Sequence, residues 1–448
     1  GARGRPRPQI ISEYHLTLPP HTSEQTEMRY PATVMPPPPR WKGTQRHVSV
    51  ADYEPEGLEV LMRLYYPTST SPPSNLFRPR YFTSSDYTHG LVHFLLNLTS
   101  RPFWVRTLAG VIYMCTYCSA FLTDTIPASL DAPPLLLNNV ADNSKQRLPV
   151  VVVSHGLAGS RNMHAALCTS LASQGYVVAA IEHRDGSASC AALVKSSGSG
   201  RSRVTYKPYV HTDGNFKWRR EQIAKRTEEF SAAIAALTAA GDGRGAPRNI
   251  FPTSRFDASA LDGAVDVSQL VGLGHSFGGV TVVAAAEANK AITRIVLLDP
   301  WTAPMGDAVQ ATSVPTLVVN SHKWGQNLRP LYTNATAVWL EAEVAGVLHQ
   351  DFSDMPLRIP WIMAKSIGKG TVDLYRLFDF KLSLMHLFFE EVAHAEQSGV
   401  GGDTLAAALH AGTVELVDRY RGEMGIQIKS SFSEANIKTG DLAARSMS

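Results

Sequence analysis

The strongest chemical signal in the chain is a serine with glycine two residues away on each side, Gly274-His275-Ser276-Phe277-Gly278. Residues 270–273 before it are apolar, and residues 280–291 after it read as a helix rich in alanine and valine. A Gly-x-Ser-x-Gly between a strand and a helix makes a nucleophile elbow. The hydroxyl stands clear of the sheet on a sharp, strained turn, and the flanking positions must be small so that backbones can pass. A helix starting at that point aims its first N–H groups at negative charge developing on the attacked atom. The expected chemistry is acyl transfer through an ester on Ser276.

A serine hydroxyl near its ordinary pKa attacks poorly, so a base and a group that orients the base are required. On a strand–turn–helix elbow these follow in the order acid, then histidine. Asp299 closes the strand-like run Arg294-Ile295-Val296-Leu297-Leu298 and is the expected acid, with Asp307 as the fallback. Downstream histidines are His322, His349, His386, His394 and His410. His322 closely follows the apolar run 316–319 and is the alternative base. His386 and His394 share a stretch with helical spacing and read as packing or surface residues. His349 lies in Gly346-Val347-Leu348-His349-Gln350-Asp351-Phe352, a loop after a strand expected at 338–340, and has the best position.

An oxyanion hole needs two N–H groups. Phe277, directly after the nucleophile, supplies one. The loop Ser154-His155-Gly156-Leu157 follows the apolar run 150–153 and points to the Leu157 N–H as the other. His155 precedes the acid, which is the wrong order for the base, so it reads as a brace for the loop. The segment Glu182-His183-Arg184-Asp185-Gly186-Ser187 reads as a hydrogen-bonded charge cluster bracing the same loop.

The elements that must hold these residues alternate. Strand-like runs at 150–153, 176–181, 270–273, 294–298 and 316–319 are separated by helical stretches, including 216–237. This predicts an α/β fold, a mostly parallel central sheet with helices on both faces. Residues 60–66 read as an earlier strand ending at Pro67. Residues 1–45 are broken by Pro19-Pro20 and Pro36 to Pro39 and read as a proline-rich arm. A catalytic domain is expected over 46–420 and a C-terminal tail over 421–448. The 448 residues carry a net charge of +3, too small to argue for a nucleic-acid partner. Four cysteines exclude a disulfide scaffold, and Cys115-x-x-Cys118, in an apolar run with no second pair nearby, reads as core packing. No cofactor or metal is called for. Residues 107–122 carry no charge but fall short of the roughly 20 residues that span a bilayer. They read as a buried or interfacial helix, and residues 104–122 and 374–389 are each either core or a candidate surface for contact with a membrane or lipid particle, which periodicity alone does not decide. Few cysteines and no visible leader lean toward the cytoplasm, with secretion as the alternative. Asn97-Leu98-Thr99 and Asn334-Ala335-Thr336 are sequons at near-chance frequency.

Several of these pieces, taken in order, resemble the platelet-activating-factor acetylhydrolases of the plasma and intracellular lipid-hydrolysing type. They are Leu61-Met62-Arg63-Leu64-Tyr65-Tyr66-Pro67, Ile126-Pro127-Ala128, Ser154 to Leu157, Glu182 to Ala188, the elbow itself with Gly279, Leu297-Leu298-Asp299-Pro300-Trp301, and His349-Gln350-Asp351-Phe352. The likeness runs from about Leu58 to Phe352. It implies the α/β-hydrolase fold, a triad of Ser276, Asp299 and His349, and oxyanion donors Leu157 and Phe277. It also implies a calcium-independent reaction at the sn-2 ester of glycerophospholipids with short or oxidatively truncated chains, so a phospholipid substrate. Ala158-Gly159-Ser160 and Pro300 depart from the usual pattern. A general carboxylesterase and a non-catalytic binding module of the same fold are the rival readings.

Overall fold

The computed structural model describes residues 46–431, apart from 75–76, 98–110, 112–123, 136, 139–144, 197–201, 212–214, 309–312, 323, 325–330, 332–334 and 359–368. In chain order the strands are β1 (His47–Tyr53), β2 (Leu61–Thr68), β3 (Ser129–Leu130), β4 (Leu137–Asn138), β5 (Lys145–Gln146), β6 (Leu148–Ser154), β7 (Val177–Glu182), β8 (Cys190–Ser196), β9 (Ser202–Pro208), β10 (Val265–His275), β11 (Ile292–Leu298), β12 (Thr316–Ser321), β13 (Trp339–Val344) and β14 (Ile426–Ser430). The helices used below are α1 (Ser85–Asn97), α2 (Ala165–Ser173), α3 (Phe216–Gly241), α4 (Phe277–Ala288), α5 (Leu374–Ser398) and α6 (Gly402–Tyr420).

Ten strands form one sheet in the order β14-β13-β12-β11-β10-β6-β7-β2-β1-β3. From β7 to β13 every neighbouring pair is parallel, while β2 and β14 join antiparallel at either side. Runs such as Val150 to Val153 and Ile295 to Leu298 are continuously apolar because both faces are covered. Alternation then sorts them. Val151 and Val153 pack with Leu167 and Leu171 of α2 and Leu377 and Leu384 of α5. Val150 and Val152 pack with Phe230 and Ile234 of α3 and Val282 of α4. The predicted α/β-hydrolase architecture, with helices on both faces of a mostly parallel sheet, is the observed one.

The order of pairing sets the position of the site. From β6 the chain moves to β7 on one side, and the next strand of this sheet, β10, returns to the other side of β6. In open parallel sheets a crevice forms at the carboxyl ends of the strands where direction reverses. The loop after β6 and the serine after β10 both sit there.

Three expectations change. Residues 374–389 are not a lipid-facing surface. They lie in α5, where Leu377, Phe378, Leu384 and Phe388 are buried in the larger core cluster. Residues 426–430, placed in the tail, pair with β13 and extend the sheet past 420. Ile426 and Ile428 pack on the core while Gln427 and Lys429 face outward, an alternation too short to stand out beyond two long helices. Pro67 does not end β2 but sits inside it, at a position that pairs only with β1. The arm at 1–45, the run 107–122 apart from Val111, and Cys115 and Cys118 lie outside the described residues. Among the described residues no helix is long and apolar enough to cross a membrane.

Candidate active site

Ser276 caps α4 with φ 56° and ψ −120°, the left-handed region that side chains rarely adopt. Its N–H donates to the Leu298 carbonyl at 2.9 Å and its carbonyl accepts from Trp301 N–H at 2.9 Å, so the turn is tied to the end of β11. The two motif glycines are steric necessities. A Cβ on Gly274 would lie 2.2 Å from the Gly278 carbonyl oxygen, and one on Gly278 would lie 2.0 Å from the Ser154 carbonyl oxygen. In each case the obstacle is backbone, which cannot step aside.

The structure brings together Ser276, His349 and Asp299. His349 Nε2 lies 2.8 Å from Ser276 Oγ, and His349 Nδ1 lies 2.8 Å from Asp299 Oδ2. Asp299 is fully buried, and Ser321 satisfies it by donating from N–H at 2.8 Å and from Oγ at 2.9–3.0 Å. The imidazole is 22% exposed, open on the side a substrate would approach. Its plane is held by Trp324, stacked at 4.1 Å and 20°, whose indole N–H donates to the Pro300 carbonyl. The loop that carries His349 is pinned by Asp351, whose Oδ2 accepts from Leu348 N–H and Gly370 N–H at 2.9 Å each. His275 Nε2 lies 3.2 Å from the His349 carbonyl, and burial holds the His275 ring well below the usual imidazole range.

The Leu157 and Phe277 N–H groups donate to no protein acceptor among the described residues, which leaves them available to an anion beside Ser276. The loop carrying Leu157 is held by a buried polar network. Ala158, at φ 55°, donates to the Ser187 carbonyl at 2.7 Å. The His155 ring lies beside the Gly156 carbonyl through Nδ1 and accepts from His183 N–H through Nε2. His183 in turn bridges Ser154 Oγ and Glu229. Arg226 of α3 reaches in from the other side. It donates to the His155 carbonyl at 2.7 Å, to Ser187 Oγ and to Asp185. Burial, the largest single influence, pushes the Asp185 carboxyl up, but Arg226, His183 and the hydrogen bonds from Ser187 together hold it below its ordinary value. Glu182 accepts from Ala192 N–H and pairs with Arg161 at 2.7 Å. The Glu182 to Ser187 segment is thus a brace.

This brace makes a first prediction. Arg226→Met leaves Asp185 buried without its partner and frees the His155 carbonyl. Removing one member of a buried pair costs about 3–5 kcal/mol, read as a fall in the urea midpoint. A loss below about 1 kcal/mol would show that the network holds nothing in place.

The other sequence candidates lie elsewhere. His322 pairs with Glu343 and its side chain is 60% exposed. His386 and His394 are on α5, and His410 on α6 contacts Ser430 Oγ at 3.1 Å. Asp307 falls in the 3-10 segment Ala303–Ala308, and its side chain lies outside the described residues. Among the described residues no cluster of histidine, cysteine or carboxylates is placed to hold a metal. Sequence reasoning missed Trp324, Ser321, Asp351 and Arg226. Only Trp324 left a signal, an aromatic in the loop after β12. The cleft over the serine is lined by Leu91 and Phe94 of α1, Met163, His164 and Met355 among others.

Residues 49–410 match the family described as platelet-activating factor acetylhydrolase, isoform II. The chain belongs to that family. A platelet-activating factor acetylhydrolase from Gallus gallus is 31% identical over 53% of this chain and 60% of its own length. One from Canis lupus familiaris is 29% identical over 68% of this chain and 64% of its own length. The chain therefore spans somewhat under two-thirds of these family members. A solved ferulic acid esterase from Streptomyces cinnamoneus superposes with TM-score 0.48 at 18% identity, covering 78% of this chain and 89% of that one. That likeness is too remote to bear on function. Within the family match lie Ser276, Asp299, His349, Leu157 and Phe277.

Proposed function

We propose that the chain is a serine esterase that cleaves the sn-2 ester of glycerophospholipids with short or oxidised acyl chains, without calcium, through an acyl-enzyme on Ser276. The observation that carries the reading is the unbroken relay from Ser276 Oγ through His349 to buried Asp299, with both links at 2.8 Å, in a chain of this family.

The steps follow from the geometry. His349 Nε2 takes the proton as Ser276 Oγ attacks the ester carbonyl carbon, and Asp299 stabilises the imidazolium through Nδ1–H. The tetrahedral oxygen is met by the Leu157 and Phe277 N–H groups; one such donor is worth about 10²–10³-fold in rate. The C–O bond breaks as His349 returns the proton to the departing lyso-lipid oxygen. Water then attacks the acyl-enzyme, giving its proton to His349, and the free acid leaves as Ser276 recovers its proton.

The reading extends to contact with a lipid surface. At the start of α3, Phe216 and Trp218 are 43% and 41% exposed, flanked by exposed Lys217 and Arg220. Phe216 contacts Trp301, which contacts Phe277 beside the nucleophile, so this aromatic and basic patch borders the cleft. Aromatic rings at a headgroup boundary with cations beside them suit an interfacial site.

The test compares a phosphatidylcholine bearing an sn-2 acetyl group with its long-chain analogue, in chelator, using wild type, Ser276→Ala and a Phe216→Ala/Trp218→Ala double variant. Expected is Ser276-dependent cleavage of the acetyl lipid alone, with the double variant slower on dispersed lipid than on monomers. Ser276-dependent turnover of small aryl esters without any lipid cleavage would replace the lipid substrate with a small soluble ester. Equal rates for the double variant and wild type on dispersions would remove the patch from the surface contact.

A further inference from the structure

His164 is the N-cap residue of α2, yet its side chain caps nothing. A helix start ordinarily uses an Asp, Asn, Ser or Thr oxygen to accept a first-turn N–H. Here that oxygen arrives from far along the chain. Asp354 Oδ2 accepts from Ala166 N–H at 2.9 Å, and Asp354 N–H donates to the Met163 carbonyl at 2.9 Å. The imidazole is released from the cap and lines the cleft instead. Its ring meets His275 edge-on at 5.2 Å, and His275 meets His349 at 4.8 Å, so His164 stands two rings from the proton relay.

The ring is only 2% exposed, and neither Nδ1 nor Nε2 makes a hydrogen bond among the described residues. The Phe352 carbonyl lies close enough to favour a charged ring slightly, but outside hydrogen-bonding geometry. Buried polar groups are nearly always paired, and an exception asks for an explanation. Leu91, Phe94, Met163 and Met355 supply no polar partner from the neighbouring wall, while Gln350 and Ser353 line the side of the His349 loop. Burial first, and Lys381 second, push the ring down to about 3, so it is neutral and offers one N–H and one lone pair.

We propose that His164 is a specificity-determining residue that hydrogen-bonds an uncharged oxygen of the substrate other than those of the ester being cleaved. The chemistry fits a ketone or hydroxyl oxygen on the acyl chain, or an ether oxygen on the leaving alcohol. A neutral ring with both nitrogens unpaired gains a partner when either enters, while an apolar chain leaves it unpaired. The inference rests on Ser276 being the acyl-transfer nucleophile, but not on the substrate being a phospholipid.

Two pairs of small esters separate the sources. The acyl pair is 4-nitrophenyl 4-oxopentanoate against 4-nitrophenyl pentanoate, and the alcohol pair is 2-propoxyethyl butanoate against hexyl butanoate. The readout is the kcat/KM ratio within each pair, corrected for uncatalysed hydrolysis. One added hydrogen bond corresponds to about a 3- to 10-fold preference for the oxygen-bearing member in wild type. His164→Phe should abolish that preference in one pair, and His164→Gln, which keeps a donor and an acceptor, should retain most of it. The pair that responds identifies the side of the substrate. Ratios near one in both pairs for wild type overturn the proposal without needing any variant. So does a His164→Phe variant whose ratio is unchanged because both esters slow in parallel, the signature of a purely structural ring. Turnover that survives Ser276→Ala would instead overturn the nucleophile reading beneath it.

Discussion

Asp299→Asn should lower kcat by about 10⁴-fold with little change in melting temperature. The carboxylate now accepts from His349 Nδ1, which leaves Nε2 free to receive the Ser276 proton. An amide turned with its oxygen toward Ser321 presents NH₂ to Nδ1. The imidazole then carries its proton on Nε2, where it cannot accept another. The side chain keeps its volume and the two bonds that Ser321 donates to Oδ1, so packing is preserved. Ser276→Ala should cost at least as much, and Ser276→Ala with His349→Ala no more than the worse single change, because the residues act as one unit. Single-turnover and steady-state rates on an activated ester give these numbers. A loss under tenfold for Asp299→Asn, or multiplicative losses in the double variant, would mean that the relay is geometry without chemistry.

Stability should fall steeply between pH 6.5 and 5.5. His155, His164 and His275 are each buried, and burial is the largest cause holding each well below 6.5. Unfolded, each titrates near 6.5. Below that pH the unfolded chain binds protons that the folded chain refuses, so the stability these groups give is complete above 6.5 and lost as pH falls. At pH 5.5 the loss is about 1 kcal/mol for each ring. His183 and Glu229 act in opposite senses, because burial lowers the histidine and raises the carboxyl, to about 8, and the carboxyl more than makes up the loss from the histidine. For a domain of this size, where each kcal/mol moves the midpoint by about 1–2 °C, the result is a melting temperature lower by about 4 °C at pH 5.5 than at pH 7.5. His164→Phe should remove about a third of that difference. Equal melting temperatures at the two pH values would mean that the rings are solvated or charged in the folded state.

Some of this was legible in the sequence for a definite reason. Gly274 is crowded by the backbone of Gly278 and Gly278 by the distant Ser154 carbonyl, but both glycines stand two residues from Ser276, so they appear as a local motif. Asp299 was legible because a strand end announces it. The Leu157 loop follows a run of valines that can only be a buried strand. What stayed hidden acts across long separations. Arg226 meets His155, Asp354 caps α2, and Ser321 holds Asp299, contacts whose sequence spacing has no period to read. The run 374–389 was ambiguous because a helix seated on a sheet and a helix seated on lipid have the same apolar stripe.

The two margins of the sheet show how the molecule resists recruiting further chains. A parallel strand such as β13, buried through its length, would present a row of open N–H and C=O groups if it ended the sheet, and such a row is a template for self-association. β14 covers that row. It is five residues long, turns Gln427 and Lys429 outward, and offers an incoming strand little length and an unwelcome charge. At the opposite margin β3 is two residues long. The long central strands are thus kept for the interior, and the sheet stops growing at its borders by brevity and charge.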